Sequence, residues 1–230
     1  MMSGKRWGYV VQFFCLLVFL GMSPFLIKMD GRKTMSVSSD SVRSQNVSDE
    51  VKPVVALTFD DGPNASSTPI LLDGLKERKV RATFFLIGEN VEKDENEKIV
   101  KRMYEEGHLI GNHTYTHCNL SKLETGEAKK ELEQTDTVIE KITGKQPVFV
   151  RAPYGELPVD SEQDLNRIYI GWTTEDTGAV VKTVVEEINP GDVILLHDCY
   201  PSSVQAAIRI VDLLQGKGYE FVTVDHLIMD

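Results

Sequence analysis

The chain has 230 residues, enough for one domain with an appendage. A formal net charge of -10 with no long basic run argues against nucleic acid as the main partner and leaves a neutral glycan or a small molecule open. Composition is ordinary for a globular domain, and no internal repeat is visible.

The N-terminus stands apart. "MMSGKRWGYVVQFFCLLVFLGMSPFLIKMDG" opens with Lys5 and Arg6, and an almost uncharged apolar stretch follows from Trp7 to Ile27. That is close to the ~20 residues a helix needs to cross a bilayer. A cleaved signal peptide has a shorter apolar core and a small-x-small site, and no clear site of that kind follows here. Residues 1–29 therefore predict an uncleaved signal anchor, a single transmembrane helix, with cleavage and secretion as the alternative. Lys28, Arg32 and Lys33 balance Lys5 and Arg6, so flanking charge says little about orientation. Residues 30–52, rich in Ser and Asp, read as a flexible linker, and the folded domain is expected over 53–230.

From Val54 the chain alternates. Short apolar runs suit buried strands: "VVALTF" (54–59), "ATFFLIG" (82–88), "HLIG" (108–111), "VFVRA" (148–152), "RIYIGWT" (167–173), "DVILLH" (192–197) and "EFVTV" (220–224). Helical patterns separate most of them. Ile70, Leu71 and Leu75 line one face after the first run, and Ile99, Val100 and Met103 line another, closed by Gly107. "SKLE" predicts a capping box from Ser121 to Glu124 ahead of a helix carrying Leu132, Val138, Ile139 and Ile142 and ending at Gly144. About seven strands with helical crossovers imply an α/β fold with a parallel sheet buried on both faces, either an open doubly wound sheet or a closed barrel. In both, chemistry gathers at the C-terminal ends of the strands.

The strand ends carry ionisable residues. Asp60 and Asp61 end the first run, His113 and His117 follow the third, Arg151 the fourth, and His197 with Asp198 the sixth. Each has an ordinary reading alone: "DDGP" is a turn, His-x-x-x-His a surface pair, Arg151 a salt-bridged side chain and "LLHD" a helix cap. Their shared edge favours function. Two histidines and an aspartate are a common ligand set for a catalytic Zn2+ that keeps one position open. A second carboxylate nearby can accept a proton, and a further histidine can donate one to a leaving group. The set suits hydrolysis of an amide or ester. His108 and His226 read as structural. Cys15 lies in the apolar segment, while Cys118 and Cys199 leave a disulfide and two free thiols equally open.

"TFDDGP", "HTYTH", "RAPYG" and "ILLHD", in this order, resemble the motifs of the polysaccharide deacetylases, the NodB homology domain of carbohydrate esterase family four. The resemblance covers Val54 to Asp230. It implies a distorted (β/α) barrel with seven strands, and removal of N- or O-acetyl groups from glycans with a divalent metal, Zn2+ by preference and Co2+ as an alternative. By this resemblance Asp60 is the general base, Asp61, His113 and His117 the metal ligands, Arg151 the arginine that orients the base, and His197 the general acid. It also implies that Pro153, Tyr154, Trp172 and Leu195 line the substrate groove, with the Tyr154 amide at the oxyanion and Leu195 at the acetyl methyl. The family's Asp-x-x-Asp-Trp motif is altered: Glu175 replaces the first aspartate, Gly178 and Ala179 stand where Asp-Trp is expected, and Asp176 offers a substitute. The implied partner is an N-acetylated glycan, peptidoglycan or a chitin-like polymer, met outside the cytoplasm by a monomer anchored in the membrane. The altered motif keeps a second possibility in view, a metal-containing glycan-binding module with little turnover. A third is a zinc hydrolase of small amides.

Overall fold

The computed structural model describes residues 52–93, 95–158, 167–175 and 180–229. The expected anchor at 1–29, and the expected linker at 30–52 except Lys52, lie outside them. Among the described residues no helix is long and apolar enough to cross a membrane.

Among the described residues eight parallel strands form one sheet: β1 (Val54–Asp60), β2 (Thr83–Leu86), β3 (Leu109–Asn112), β4 (Phe149–Val150), β5 (Ile168–Tyr169), β6 (Thr174–Glu175), β7 (Val193–His197) and β8 (Glu220–Val222). Their order is β5-β4-β3-β2-β1-β7-β6, with β8 paired to β1 off this path. Thr58 pairs with both Thr83 and Leu195, and Ala56 with both Val193 and Val222. A strand has two edges, so β8 and β2 share one edge of β1, one along its first half and one along its second.

The stretch 167–173, expected as one strand, is a correction. It contributes β5, and the chain then reaches β6, at the other end of the sheet. Flat, seven strands at about 4.8 Å spacing would put these two strands roughly 29 Å apart. The chain from Tyr169 to Thr174 reaches at most about 18 Å. The sheet must therefore curl until its ends approach. Among the described residues no ladder joins β5 to β6, and the barrel they form is open along that seam. Arg151 partly serves there: its Nε and Nη2 donate to the carbonyls of Ile170 and Gly171 at 3.2 and 3.0 Å.

The strands alternate cleanly between two environments. Val55, Leu57 and Phe59 of β1, Phe84 and Leu86 of β2, and Ile194 and Leu196 of β7 pack outward. They meet Leu71, Leu72 and Leu75 of α1 (Thr68–Glu77), Ile99, Val100 and Met103 of α3 (Asn96–Glu105), Val184 of α5 (Val180–Glu187), and Ala207, Ile210 and Val211 of α6 (Pro201–Gly216). The intervening residues face inward. Ala56, Phe85 and Phe149 form a separate cluster with Val224 of α7 (Val224–Met229), and Val193 and Leu227 pack against it. Gly111 faces this interior because a Cβ there would lie 2.5 Å from the Phe85 ring. The inward face of each strand thus carries its alternate residues up to the C-terminal edge, where β1 delivers Asp60 and β7 delivers His197.

Two short elements differ from expectation in register. Ser121 lies in a 3-10 turn over Leu120–Lys122, where the Asn119 side chain accepts its N–H at 3.0 Å. The capping box sits three residues later, with Glu124 as the cap and Glu127 closing it on α4 (Thr125–Thr143). Gly144 ends α4 in the left-handed conformation, as the pattern predicts. A one-turn helix, α2 (Gly88–Val91), follows β2.

Candidate metal centre and active site

Beyond the strand ends the backbone turns sharply. Asp61, Thr114, His117 and Tyr154 all have positive φ (70°, 65°, 58° and 62°), and Lys79 is the only other non-glycine in that state among the described residues. Each costs on the order of 1 kcal/mol, and such residues persist where surrounding contacts over-determine them. Asp61 turns at the end of β1, and the Asn90 side chain holds its carbonyl at 2.7 Å. Gly62 follows, pressed so closely on Asp198 that a Cβ would lie 2.4 Å from both carboxylate oxygens.

Asp61, His113 and His117 converge, with one ligand atom from each within 4.8 Å of the others. Asp61 Oδ1 lies 3.4 Å from His113 Nε2 and 3.2 Å from His117 Nε2. That oxygen is buried and makes no hydrogen bond. Two atoms bound at about 2.1 Å to one tetrahedral ion lie about 3.4 Å apart. His113 Nδ1 is 2.7 Å from the Arg151 carbonyl. A carbonyl can only accept, so Nδ1 carries a proton, and in its neutral form the ring turns the Nε2 lone pair toward Asp61. A carboxylate oxygen facing such lone pairs lacks a partner unless a cation lies between them. The donor set therefore fits a divalent ion of the Zn2+ type. Burial opposes the charge on Asp61, but the two histidines outweigh it and hold this carboxyl well below the usual range. Burial likewise opposes positive charge at His113, and Asp60 and Asp61 reverse that and raise its pKa, so the two carboxylates call for a cation at its Nε2, whether proton or metal.

Asp60 is held apart from this set. It is 3% exposed, and its Oδ1 accepts from Arg151 Nη1 at 2.8 Å. Its Oδ2 lies 3.8 Å from His113 Nε2. Arg151 is 1% exposed, with its guanidinium 4.3 Å above the Phe85 ring and 6.0 Å from that of Trp172. Its Nη1 also donates to Thr58 Oγ1 at 2.7 Å, and Thr58 in turn donates to the Ile194 carbonyl at 2.7 Å. Burial pulls the Arg151 pKa down, and Asp60 opposes that. The arginine is thus fixed on every side, and it fixes one oxygen of Asp60 while leaving the other toward the triad.

His197 is the ladder partner of Asp60, so the two inward side chains stand side by side on neighbouring strands. Its Nε2 is 3.9 Å from Asp61 Oδ2. Among the described residues its ring makes no hydrogen bond. Leu195 lies two residues before it on the same face, 3% exposed. Tyr154 is 66% exposed and sets its ring 5.0 Å from that of His117, while Pro153 beside it is buried. Trp172 packs over Gly155, where a Cβ would lie 3.0 Å from the indole. The structure thus brings Asp60, Asp61, His113, His117, Arg151 and His197 into one centre with Tyr154 and Trp172 around it. Of the altered motif, Glu175 falls in β6, while Asp176, Gly178 and Ala179 lie outside the described residues.

His108 is structural, as expected. It is buried, accepts the Ala82 N–H on Nδ1 at 3.1 Å and stands edge-on to Phe84. Cys118 and Cys199 are free thiols. Burial first, then Asp61 and Asp198, push the Cys199 thiol up to about 12.

Residues to which the sequence alone gives no such role hold the loops. Asp198 is fully buried, accepts from Thr68 Oγ1 at 2.5 Å and is pushed by burial up to about 7. Asn112 accepts the Thr114 N–H at 2.8 Å and donates to Asp136 at 2.6 Å. Glu131 accepts the N–H groups of Tyr115 and Thr116. Asp136 and Glu131 belong to the stripe of α4 that also buries Ala128, Leu132, Thr135 and Ile139. Acidic residues on an otherwise packed stripe are the signal that could have revealed them.

A family model described as polysaccharide deacetylase matches residues 48–170. A peptidoglycan-N-acetylglucosamine deacetylase of Bacillus cereus is 40% identical over 190 residues, which cover 76% of this chain and 68% of that protein. The peptidoglycan-N-acetylmuramic acid deacetylase PdaC of Bacillus subtilis is 38% identical over 194 residues, 81% of this chain but 41% of that protein. The chain thus spans about two thirds of one relative and under half of the other. The solved structure of PdaC matches with a TM-score of 0.73 at 36% identity, covering 77% of this chain and 91% of that one. A family 4 acetyl xylan esterase from Clostridium thermocellum, solved in complex with a cobalt ion, matches with a TM-score of 0.71 at 32% identity, covering 76% and 90%. The curled, open sheet of parallel strands is common to these structures.

Proposed function

Because the chain belongs to the polysaccharide deacetylase family of carbohydrate esterase family four, we propose that it is a metal-dependent hydrolase that removes N-acetyl groups from an extracytoplasmic polysaccharide. Peptidoglycan is the leading substrate, supported by what the two curated relatives are named for, and a chitin-like N-acetylglucosamine polymer is the alternative. The observation that carries the reading is the pairing of two differently held carboxylates: Asp61 Oδ1, unbonded between two imidazoles, and Asp60, pinned through one oxygen by Arg151.

Asp61, His113 and His117 would hold the metal, Zn2+ by their chemistry with Co2+ a competent substitute, and it would supply Lewis acidity to the acetyl carbonyl and to the attacking water. Asp60, with Oδ2 left toward the triad, takes the proton of that water. Arg151 keeps the carboxylate from turning away. The Tyr154 amide donates to the developing oxyanion. His197, beside Asp60 and reaching toward Asp61, gives a proton to the departing amine. Leu195 bounds the acetyl methyl, while Pro153, Tyr154 and Trp172 line the groove. Acetate and a free amino sugar leave.

The chain is proposed to act as a monomer, held at the membrane by residues 1–29 with its catalytic part outside, or secreted if that segment is removed. Fractionation of cells expressing the full chain against one beginning near residue 50 tests the anchor. The activity is tested by acetate release from N-acetylglucosamine oligomers and from peptidoglycan, with Zn2+ or Co2+ supplied and Asp60→Ala as control. Acetate that requires both metal and Asp60 supports the assignment. A folded, metal-loaded protein that releases none from either glycan refutes it. It then supports the second reading, a metal-containing glycan-binding module, which the altered motif at Glu175, Gly178 and Ala179 favours and which predicts glycan binding without turnover.

A further inference from the structure

We infer that Glu131 is a positioning residue for the metal centre, acting from α4 through the backbone of the loop that carries both histidines. The inference rests on the metal-centre reading and adds a residue that touches neither metal nor substrate.

The loop from His113 to His117 has two left-handed residues, Thr114 and His117. Its central backbone groups are bonded from neighbouring elements. Glu131 Oε2 accepts the Tyr115 N–H at 3.0 Å and the Thr116 N–H at 2.9 Å, and the Thr116 hydroxyl lies 3.1 Å from both carboxylate oxygens. On the carbonyl side, Gly88 N donates to Thr114 and Glu89 N to Tyr115, both at 3.0 Å. Gly88 can lie this close only as glycine, since a Cβ would be 2.4 Å from the Tyr115 ring and 2.8 Å from Thr135 Oγ1. The loop is therefore clamped between α2 and α4, and among the described residues Glu131 alone accepts these two successive N–H groups.

The two histidines depend on this clamp unequally. His113 directly follows β3, is buried, and is oriented through Nδ1 by the Arg151 carbonyl. His117 lies beyond the clamped residues, is half-buried, and its ring stands against those of Tyr154 and His113 and beside the Asp61 carboxylate. The bonds from Glu131 to residues 115 and 116 are the nearest fixed points to it in the chain. Charge-assisted bonds of this kind are stronger than neutral ones. Partners that orient a metal-binding side chain typically change metal affinity by about 10–100-fold when removed.

The test is the Zn2+ affinity of the full chain, measured by competition with a chromophoric chelator, together with the visible spectrum of the Co2+ form and melting in excess chelator. Glu131→Ala is expected to bind Zn2+ about 10–100-fold more weakly and to alter the Co2+ spectrum. Glu131→Gln, which keeps an acceptor oxygen, is expected to lose less, but at least severalfold. Glu133→Ala removes an exposed carboxylate of the same helix that pairs with Lys129, and is expected to leave the affinity unchanged. A purely structural role would lower melting in chelator and leave affinity and spectrum as in the parent, and that result overturns the inference. Should Glu131→Ala fail to fold, Glu131→Gln decides by the same criterion. An equal loss in Glu133→Ala also overturns the inference. A parent chain that binds no Zn2+ overturns the metal centre itself, an outcome distinct from equal binding by parent and variants.

Discussion

Replacing Arg151 by methionine tests the electrostatic frame beneath the site. The side chain is 1% exposed and donates to four oxygens: Thr58 Oγ1, Asp60 Oδ1 and the carbonyls of Ile170 and Gly171. Methionine fills much of the volume against Phe85 and satisfies none of them. The dominant cost is the Asp60 carboxylate, left buried without its partner, and breaking such a pair costs about 3–5 kcal/mol. For a domain of this size that is a fall in Tm of about 6–20 °C. Asp60→Asn should cost a similar amount, because it strands the guanidinium. The double variant removes both charges, so it should be more stable than the two separate losses imply, with a coupling of about 2 kcal/mol or more. Urea unfolding of all four proteins in excess chelator measures this without a contribution from metal. Single losses below about 1 kcal/mol, or losses that simply add, would show that Arg151 and Asp60 are not a buried, mutually dependent pair.

Binding of metal to the folded chain alone should raise stability by about 2.7 kcal/mol at one hundred times Kd, a rise in Tm of about 5–11 °C that EDTA reverses and that Asp61→Ala abolishes. Gly62→Ala should cost about 1–3 kcal/mol in urea and weaken Zn2+ binding, since its Cβ would meet the buried Asp198 carboxylate at 2.4 Å beside Asp61; a variant equal to the parent in both measurements refutes that close approach. His108 predicts a pH dependence of stability. Burial lowers its pKa from 6.5 to about 4, so between those values the unfolded chain binds a proton that the folded chain refuses. Its contribution is complete above pH 6.5 and is lost as pH falls toward 4, on the order of 3 kcal/mol. Denaturation from pH 7 to 4 should therefore fall less steeply for His108→Asn, and parallel curves for the two proteins would contradict it.

The chemistry at the strand ends was legible because it is carried by the strands themselves. Asp60, Arg151 and His197 each end or directly follow an apolar run, and alternation along a buried strand brings such residues to one interior. The break within 167–173 was not legible. "RIYIGWT" is continuous in hydrophobicity, and it divides only because Thr174 pairs with Ile194 on the far side of the curled sheet while Arg151 takes the carbonyls between. The cap of α4 was misplaced for a related reason. Ser121–Glu124 and Glu124–Glu127 both have capping-box spacing, and the choice was made by Asn119, which takes the Ser121 N–H into a separate turn. What escaped altogether is the set of bonds that holds the loops, from Glu131 to Tyr115 and Thr116, from Asn112 to Thr114 and from Asn90 to Asp61. Each joins a side chain to a backbone group. Apart from proline's missing N–H, a backbone N–H or C=O is the same whichever residue supplies it, so such a contact leaves a mark at only one of its two ends. Glu131 at that one end is marked only by its place on the packed stripe of α4, and what it holds becomes visible only when the fold sets the loop of the two histidines against that helix.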